Sequence, residues 1–221
     1  MIISIKLCFF MFVLASASKA RQKLLDQIAL RYKVIVSDFD ETQVRELVPR
    51  MKVKLLAKAK AESVLNNLIK KNKSLKTFKA LLACDSLFEF EGSVFGKPIN
   101  KEQLISRWKM MSGKSGYLHT GHCLIPIDNF TSDIKAPSLN NFCEGVVSTK
   151  IEFISLSNRD IIKYASIPEP YNCAGGFAIE GIGGLFIKKI DGCFSNVVGL
   201  SLPWLNNSLG QLGLSSLLMD R

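Results

Sequence analysis

The N-terminal run FVLAS, followed by ASKARQKLLDQI, constrains this chain more than any other stretch, because it admits two opposite structures. Residues 2–15 are almost wholly apolar and end in small side chains, the pattern of a secretory signal with an Ala-x-Ala-like cleavage site. The alternative is a buried first strand that passes into a helix capped by Ser18 and carrying Arg21. Such a unit presents free N–H groups and the positive end of a helix dipole above the strand's end, which suits an anion. Charge placement favours the second reading. A signal carries its basic residues ahead of the apolar run, whereas Lys6 alone precedes residue 19 and Lys19, Arg21 and Lys23 follow. Cleavage near Ala17 or Ala20 would also remove the strand and cap that a helix bearing Leu24, Leu25 and Ile28 needs. Met11 stands directly before the strand, so residues 1–10 are expected to be an N-terminal extension or a misassigned start, and 11–221 a single domain.

At 221 residues the chain can bury one full core, and 48% hydrophobic with 22% charged residues is ordinary for a globular protein. The formal net charge of +10 points to an acidic partner: a polyanionic small molecule, nucleic acid or an anionic membrane. Basic residues do not alternate with aromatics, so no nucleic-acid polymer is expected, and KKNK from Lys70 to Lys73 reads as a solvated helix end. Beyond the N-terminus no apolar run approaches the ~18 residues of a membrane span. The six cysteines, Cys8, Cys84, Cys123, Cys143, Cys173 and Cys193, form no CxxC pair. An even count allows disulfides, but the wide spacing and the size of the core favour reduced, buried thiols, in keeping with a cytoplasmic protein. Two histidines without an HxxxH argue against zinc.

Helical and strand patterns alternate along the chain. After FVLAS and a helix from Lys19 to Leu30, KVIVSDFDE reads as a strand leading into an acidic loop. Pro49 opens a helix to about Lys71 with Met51, Leu55, Leu65 and Leu68 on its apolar side. FKALLACD is an apolar strand ending at Asp85, and LFEF-EG-SVFG a hairpin after it. Asn100 and Gln103 form a capping box for a helix that carries Leu104, Ile105 and Trp108 and stops at Gly113. GYLHTGHCLIPI and VVSTKIEFISL are strands, separated by a polar loop from Asp128 to Asn141. Ser157 and Asp160 cap a short helix, and the Gly-rich EPYNCAGGFAIEGIGG precedes the strand GLFIKKI. The order specifies an α/β fold with a mixed, twisted sheet and flanking helices.

Several side chains could carry chemistry. Asp85 ends an apolar strand, where an α/β sheet presents groups to its ligand crevice; it could activate water, hold a metal, or simply cap a turn. Asp40 and Glu41 follow another apolar strand, and with Asp85 they offer oxygen ligands suited to Mg²⁺ or Mn²⁺. Taken alone, that pair is more simply an acidic loop. Lys60, with Leu56 and Val64 four residues to either side, leaves the edge of an apolar helix face, as a snorkelling lysine also would. Lys97, between Gly96 and Pro98, is either a fixed phosphate contact or a turn lysine. The glycines of EPYNCAGGFAIEG permit close backbone approach to a ligand, without matching a Walker A or GxGxxG pattern.

In order, LASASKARQKLL, SDFDE, LAKAKAESV, ACDS, GKP, HTG, EPYNCAGGFAIEG and IDGCFSNVVGLSL resemble the motif set of the Maf family, the septum formation nucleoside triphosphate pyrophosphatases. The resemblance covers essentially Met11 to Leu202. It implies a fold like that of the inosine triphosphatases, with a nucleotide cleft and often a homodimer. It also implies metal-dependent hydrolysis between the α and β phosphates, with Mg²⁺ or Mn²⁺ as cofactor. By motif, Asp85 would be the general base, Ser18, Arg21, Lys60 and Lys97 would bind phosphates, and Glu41 would help hold metal or water. The chain departs from the family pattern where Lys19-Ala20 replaces Pro-Arg, Ser86 replaces Thr and Glu180 replaces Gln. Those positions are associated with base selectivity, so Ser86 and Glu180 are expected to bind substrate without a pyrimidine preference; Glu180 resembles the branch acting on 7-methyl-GTP. The competing expectation is a nucleotide-binding regulator of cell division that uses the fold without turnover.

Overall fold

Phe12 and Leu14 face one way and Val13 and Ala15 the other, and all four are buried, so the first strand must be covered on both faces. A computed structural model, which describes residues 11–46, 48–71, 75–127 and 141–218, shows how. The strand β1 (Met11–Leu14) pairs in parallel with β2 (Tyr32–Val34) on one side and with β3 (Phe78–Phe90) on the other. From β3 the sheet continues antiparallel through β5 (Ser115–Pro126), β6 (Cys143–Phe153) and β7 (Ile187–Asp191), while β4 (Ser93–Phe95) folds back on the end of β3. The expected mixed sheet is therefore present, with seven strands.

Helices cover both faces. The helix α1 (Lys19–Gln27) packs Leu24 and Leu25 against Phe12, Leu14, Leu82 and Cys84, together with Leu205 and Leu209 of α6 (Leu202–Gln211). On the opposite face α2 (Pro49–Lys70) packs Ala57, Ala61, Val64, Leu65 and Leu68 onto Val13, Ala15, Leu81 and Ala83. A third cluster, under α3 (Lys101–Met111) and α4 (Asn158–Tyr164), is built from Phe88, Trp108, Phe153, Tyr164 and Phe177 in edge-to-face contact. One further short helix, α5 (Phe194–Val198), sits between β7 and α6.

Local sequence signals place most of these boundaries. Ser18, Asn100, Ser157 and Ser201 each accept a backbone N–H as N-caps, and Pro49 opens α2. Four expectations need correction. The strand expected to end at Asp85 runs on to Phe90, because β5 stays in register beside it from Ala80↔Pro126 to Glu89↔Tyr117. The first helix stops at Gln27, where Ala29 turns left-handed (φ 54°) and Leu30 N–H reaches back to Leu25 O. The strand from Lys33 ends at Val34, since β1, its partner, ends at Leu14. Met51 and Leu55 are 47% and 42% exposed; the buried face of α2 runs instead through Val53, Leu56, Ala57 and Ala61. The loop expected from Asp128 onward, part of KKNK and residues 1–10 lie outside the described residues.

α2 comes unusually close to the sheet at one point. A Cβ on Gly121 of β5 would lie 2.1 Å from Val53 O and 2.7 Å from Lys54 N, both backbone atoms of α2. Gly121→Ala is accordingly expected to destabilise the protein by about 2 kcal/mol or more through overpacking, read as a lowered denaturant midpoint. An unchanged midpoint would show that α2 can lift off the sheet at no cost.

Candidate active site

β3 has β5 along one edge throughout, but its other edge changes partner. β1 leaves after Leu14↔Leu82 and β4 joins only at Phe88↔Phe95. Among the described residues no strand fills the interval, and a cleft of about 940 Å³ opens there. Side chains alternate along β3, so Asp85 points to the α2 side of the sheet and Ser86 to the α1 side. The cleft reaches both.

On the α2 side, Lys60 emerges between buried Leu56 and Val64 with its side chain only 15% exposed. Its Nζ lies 2.5 Å from Asp85 Oδ1 and 2.7 Å from Glu41 Oε1, so one ammonium draws two carboxylates together. Burial pushes the Asp85 carboxyl above its ordinary value; the Lys60 charge and hydrogen bond, and then the Arg21 charge, pull it back, while Glu41 pushes it up. An acid poised by opposing influences of this kind suits proton transfer. Asp40, grouped with Glu41 and Asp85 on sequence, does not join them. Its carboxylate accepts from Thr42 N and Thr42 Oγ1 and caps the turn Glu41–Gln43.

On the α1 side, Ser18 Oγ accepts the Arg21 N–H at 3.4 Å as the helix cap. The Arg21 guanidinium is held at three points: Nε donates to Gly199 O at 2.8 Å, Nη1 to Ser16 Oγ at 2.9 Å and Nη2 to Ser86 Oγ at 3.0 Å. Gly199 takes a φ of 125° to present that carbonyl, and a Cβ there would meet Arg21 Nε at 3.2 Å. Each terminal nitrogen keeps one N–H for a ligand.

Lys97 and Glu180 are exposed side chains that line the same cleft. Eight of the nine sequence candidates, Ser18, Arg21, Glu41, Lys60, Asp85, Ser86, Lys97 and Glu180, thus line one cavity, and Asp40 does not. Besides Ser16 and Gly199, which hold Arg21, two further residues at or behind the cleft were not singled out on sequence. Glu169 accepts from Ile182 N, Gly183 N and the Tyr164 hydroxyl, so it pins the turn beside Glu180; its place in EPYNC was a usable signal. Thr120, in HTG, contacts Ser86 and is wholly buried. The two histidines have other work. His119 lies between Ser148 Oγ and Glu89 Oε2, and His122, pushed down to about 3 by burial, accepts from Ser201 N. The described cysteines are all free thiols, but only Cys84 and Cys123 are buried as expected; Cys143, Cys173 and Cys193 are half-buried.

Comparison with known proteins gives a consistent picture. A family model described as Maf-like protein matches residues 11–212. A protein of Prochlorococcus marinus (strain NATL1A) named nucleoside triphosphate pyrophosphatase is 74% identical over 211 residues, covering 96% of this chain and 100% of that protein. Proteins of the same name from Prochlorococcus marinus (strain MIT 9301) and Synechococcus sp. (strain CC9311) are 47% and 44% identical, each covering 90% of this chain, and 99% and 98% of their own length.

The Asp85–Lys60 contact can be tested in the isolated protein. Lys60 lowers the Asp85 pKa, so Lys60→Met should move the Asp85 titration, followed by its carboxyl ¹³C shift, to higher pH. A midpoint that stays or falls would mean that the ammonium does not hold this carboxylate.

Proposed function

The chain belongs to the Maf family, and on that premise we propose that its cleft hydrolyses nucleoside triphosphates to the monophosphate and pyrophosphate. The observation that carries this reading is the convergence, in one cavity, of a buried carboxylate perturbed by an ammonium with a guanidinium at a helix N-terminus. The cations neutralise a triphosphate; the carboxylate supplies a base. Asp85 takes a proton from a water molecule, the water oxygen bonds to phosphorus, and the P–O bond between the α and β phosphates breaks. Lys60 keeps Asp85 ionised enough to accept that proton and itself contacts phosphate. Arg21 offers its two remaining N–H groups to phosphate oxygens, beside the free N–H groups of α1. Lys97, exposed at the same cleft, meets a phosphate as well.

A divalent cation fits this donor set. Asp85 and Glu41 each spend one oxygen on Lys60 Nζ and keep the other, Oδ2 and Oε2, as donors of the kind Mg²⁺ and Mn²⁺ prefer. No group of three or more His, Cys, Asp or Glu clusters among the described residues, so phosphate oxygens and water would complete the shell. Such an ion would neutralise charge developing on the phosphates. Glu180, with Glu169 steadying its turn, would read a base edge rich in donors, such as that of guanine. No helix among the described residues is long and apolar enough to cross a membrane; a cytoplasmic location and a homodimer complete the proposal.

Pyrophosphate release from a nucleotide panel with Mg²⁺ or Mn²⁺ tests this directly. Wild-type protein should release it, and Asp85→Asn should lower turnover by ~10² or more while keeping nucleotide affinity. The same change should not lower the melting temperature, because a buried acid with a raised pKa costs stability once the pH exceeds its unfolded value. Nucleotide binding without release would identify a regulator instead. In the same panel, Glu180→Gln should shift kcat/KM away from GTP and 7-methyl-GTP toward UTP and dTTP; a wild-type enzyme tenfold better on dTTP than on every purine would remove Glu180 from base reading.

A further inference from the structure

The hydrogens in the chain of hydroxyls behind Arg21 can be assigned by elimination. Asn196 O can only accept, so Thr120 Oγ1, 3.1 Å away, must donate its single hydrogen to it. Thr120 Oγ1 is then an acceptor toward Ser86 Oγ at 2.9 Å, and Ser86 must spend its own hydrogen there. Ser86 is left with lone pairs alone on its cleft side, and Arg21 Nη2 donates to one of them at 3.0 Å. The far end is firmly anchored. Asn196 is wholly buried, and its Nδ2 donates to Leu118 O and to Thr149 Oγ1. Thr149 Oγ1 in turn donates to Cys193 O and accepts from Cys193 N.

We propose that Thr120 is a positioning residue for phosphate recognition, acting through Ser86 to hold the Arg21 guanidinium in its working orientation. Because the Ser86 hydrogen is committed to Thr120, Ser86 has none to donate to a phosphate oxygen or to a base. Its contribution is to act as an oriented acceptor for Arg21. The relay therefore serves the triphosphate and is indifferent to the base, which separates Ser86 from Glu180. With Thr120 replaced by Val, the Ser86 hydrogen loses its fixed acceptor, the hydroxyl is free to rotate, and its lone pairs are no longer held toward Nη2.

This inference rests on the cleft's reading as a triphosphate site, and the experiment keeps the two apart. Pyrophosphate release by wild type, Thr120→Val, Thr120→Ser and Ser86→Ala is measured with GTP, UTP and dTTP. Thr120→Val and Ser86→Ala should each raise KM about tenfold for all three nucleotides, the effect of losing one hydrogen bond to a charged group, with kcat within about twofold. Thr120→Ser should restore KM, since it returns the hydroxyl. In an Arg21→Ala background, Thr120→Val should add nothing, because the group it orients is gone. A changed ratio among the nucleotides, a fall in kcat at constant KM, or full additivity with Arg21→Ala would overturn the relay. Wild-type protein that releases no pyrophosphate would overturn the enzymatic reading alone. The same variants would then be titrated with pyrophosphate by calorimetry, where tenfold weaker binding by Thr120→Val supports the relay and unchanged affinity refutes it.

Discussion

The site exists because β3 outlasts one neighbour before it gains the next. Ala15 N–H bonded to Leu82 O is the last link between β1 and β3, and the hairpin to β4 begins only at Phe88. A sheet edge left open between two pairing partners is normally a liability, since its polar groups have no partner. Here it is enclosed by α1, α2 and the Gly-rich turns, so it becomes a wall of a cleft instead of an aggregation edge. β5 makes this possible. Its unbroken register along the far side of β3 keeps that strand extended where β1 no longer supports it.

Charge inside the cleft is arranged so that few groups stand alone. Asp85 is 8% exposed, a costly place for a carboxylate, and Lys60 compensates it at contact distance. Lys60 is in turn shared with Glu41. Arg21 spends three N–H groups on protein acceptors, which fixes its plane at the expense of reach. The half of the molecule around Trp108, Phe153 and Phe177 supplies the opposite property, a rigid aromatic support under the turns that carry Glu169 and Glu180. Gly175, at φ 74°, approaches Phe88 so closely that a Cβ would lie 2.9 Å from its ring, which seats those turns directly on the core.

Much of this was legible in the sequence, for identifiable reasons. Ser18, Asn100, Ser157 and Pro49 announce helix starts because capping is a local, stereochemical requirement. The mixed sheet follows from the alternation of strands, helices and hairpins. What could not be read depends on contacts distant in the chain. The extension of β3 past Asp85 is decided by β5, more than thirty residues on. The exposure of Met51 and Leu55 reflects which face of α2 meets Gly121, a choice that helical periodicity leaves open. The separation of Asp40 from Asp85 follows from the cap it makes on Thr42. Thr120 stayed hidden because its partners, Ser86 and Asn196, lie 34 and 76 residues away.

Placing Asp85 and Ser86 on consecutive positions of one strand gives the chain an unequal tolerance for changes in length. Glu91 and Gly92 turn β3 back into β4 at the surface, and a residue gained there is absorbed by a longer turn. A single residue inserted between Leu82 and Asp85 would invert every side chain beyond it. The carboxylate would then face Arg21, the hydroxyl would face Lys60, and Phe88 would turn out of its aromatic cluster, so one codon in this interval would exchange the two halves of the cleft and empty part of the core.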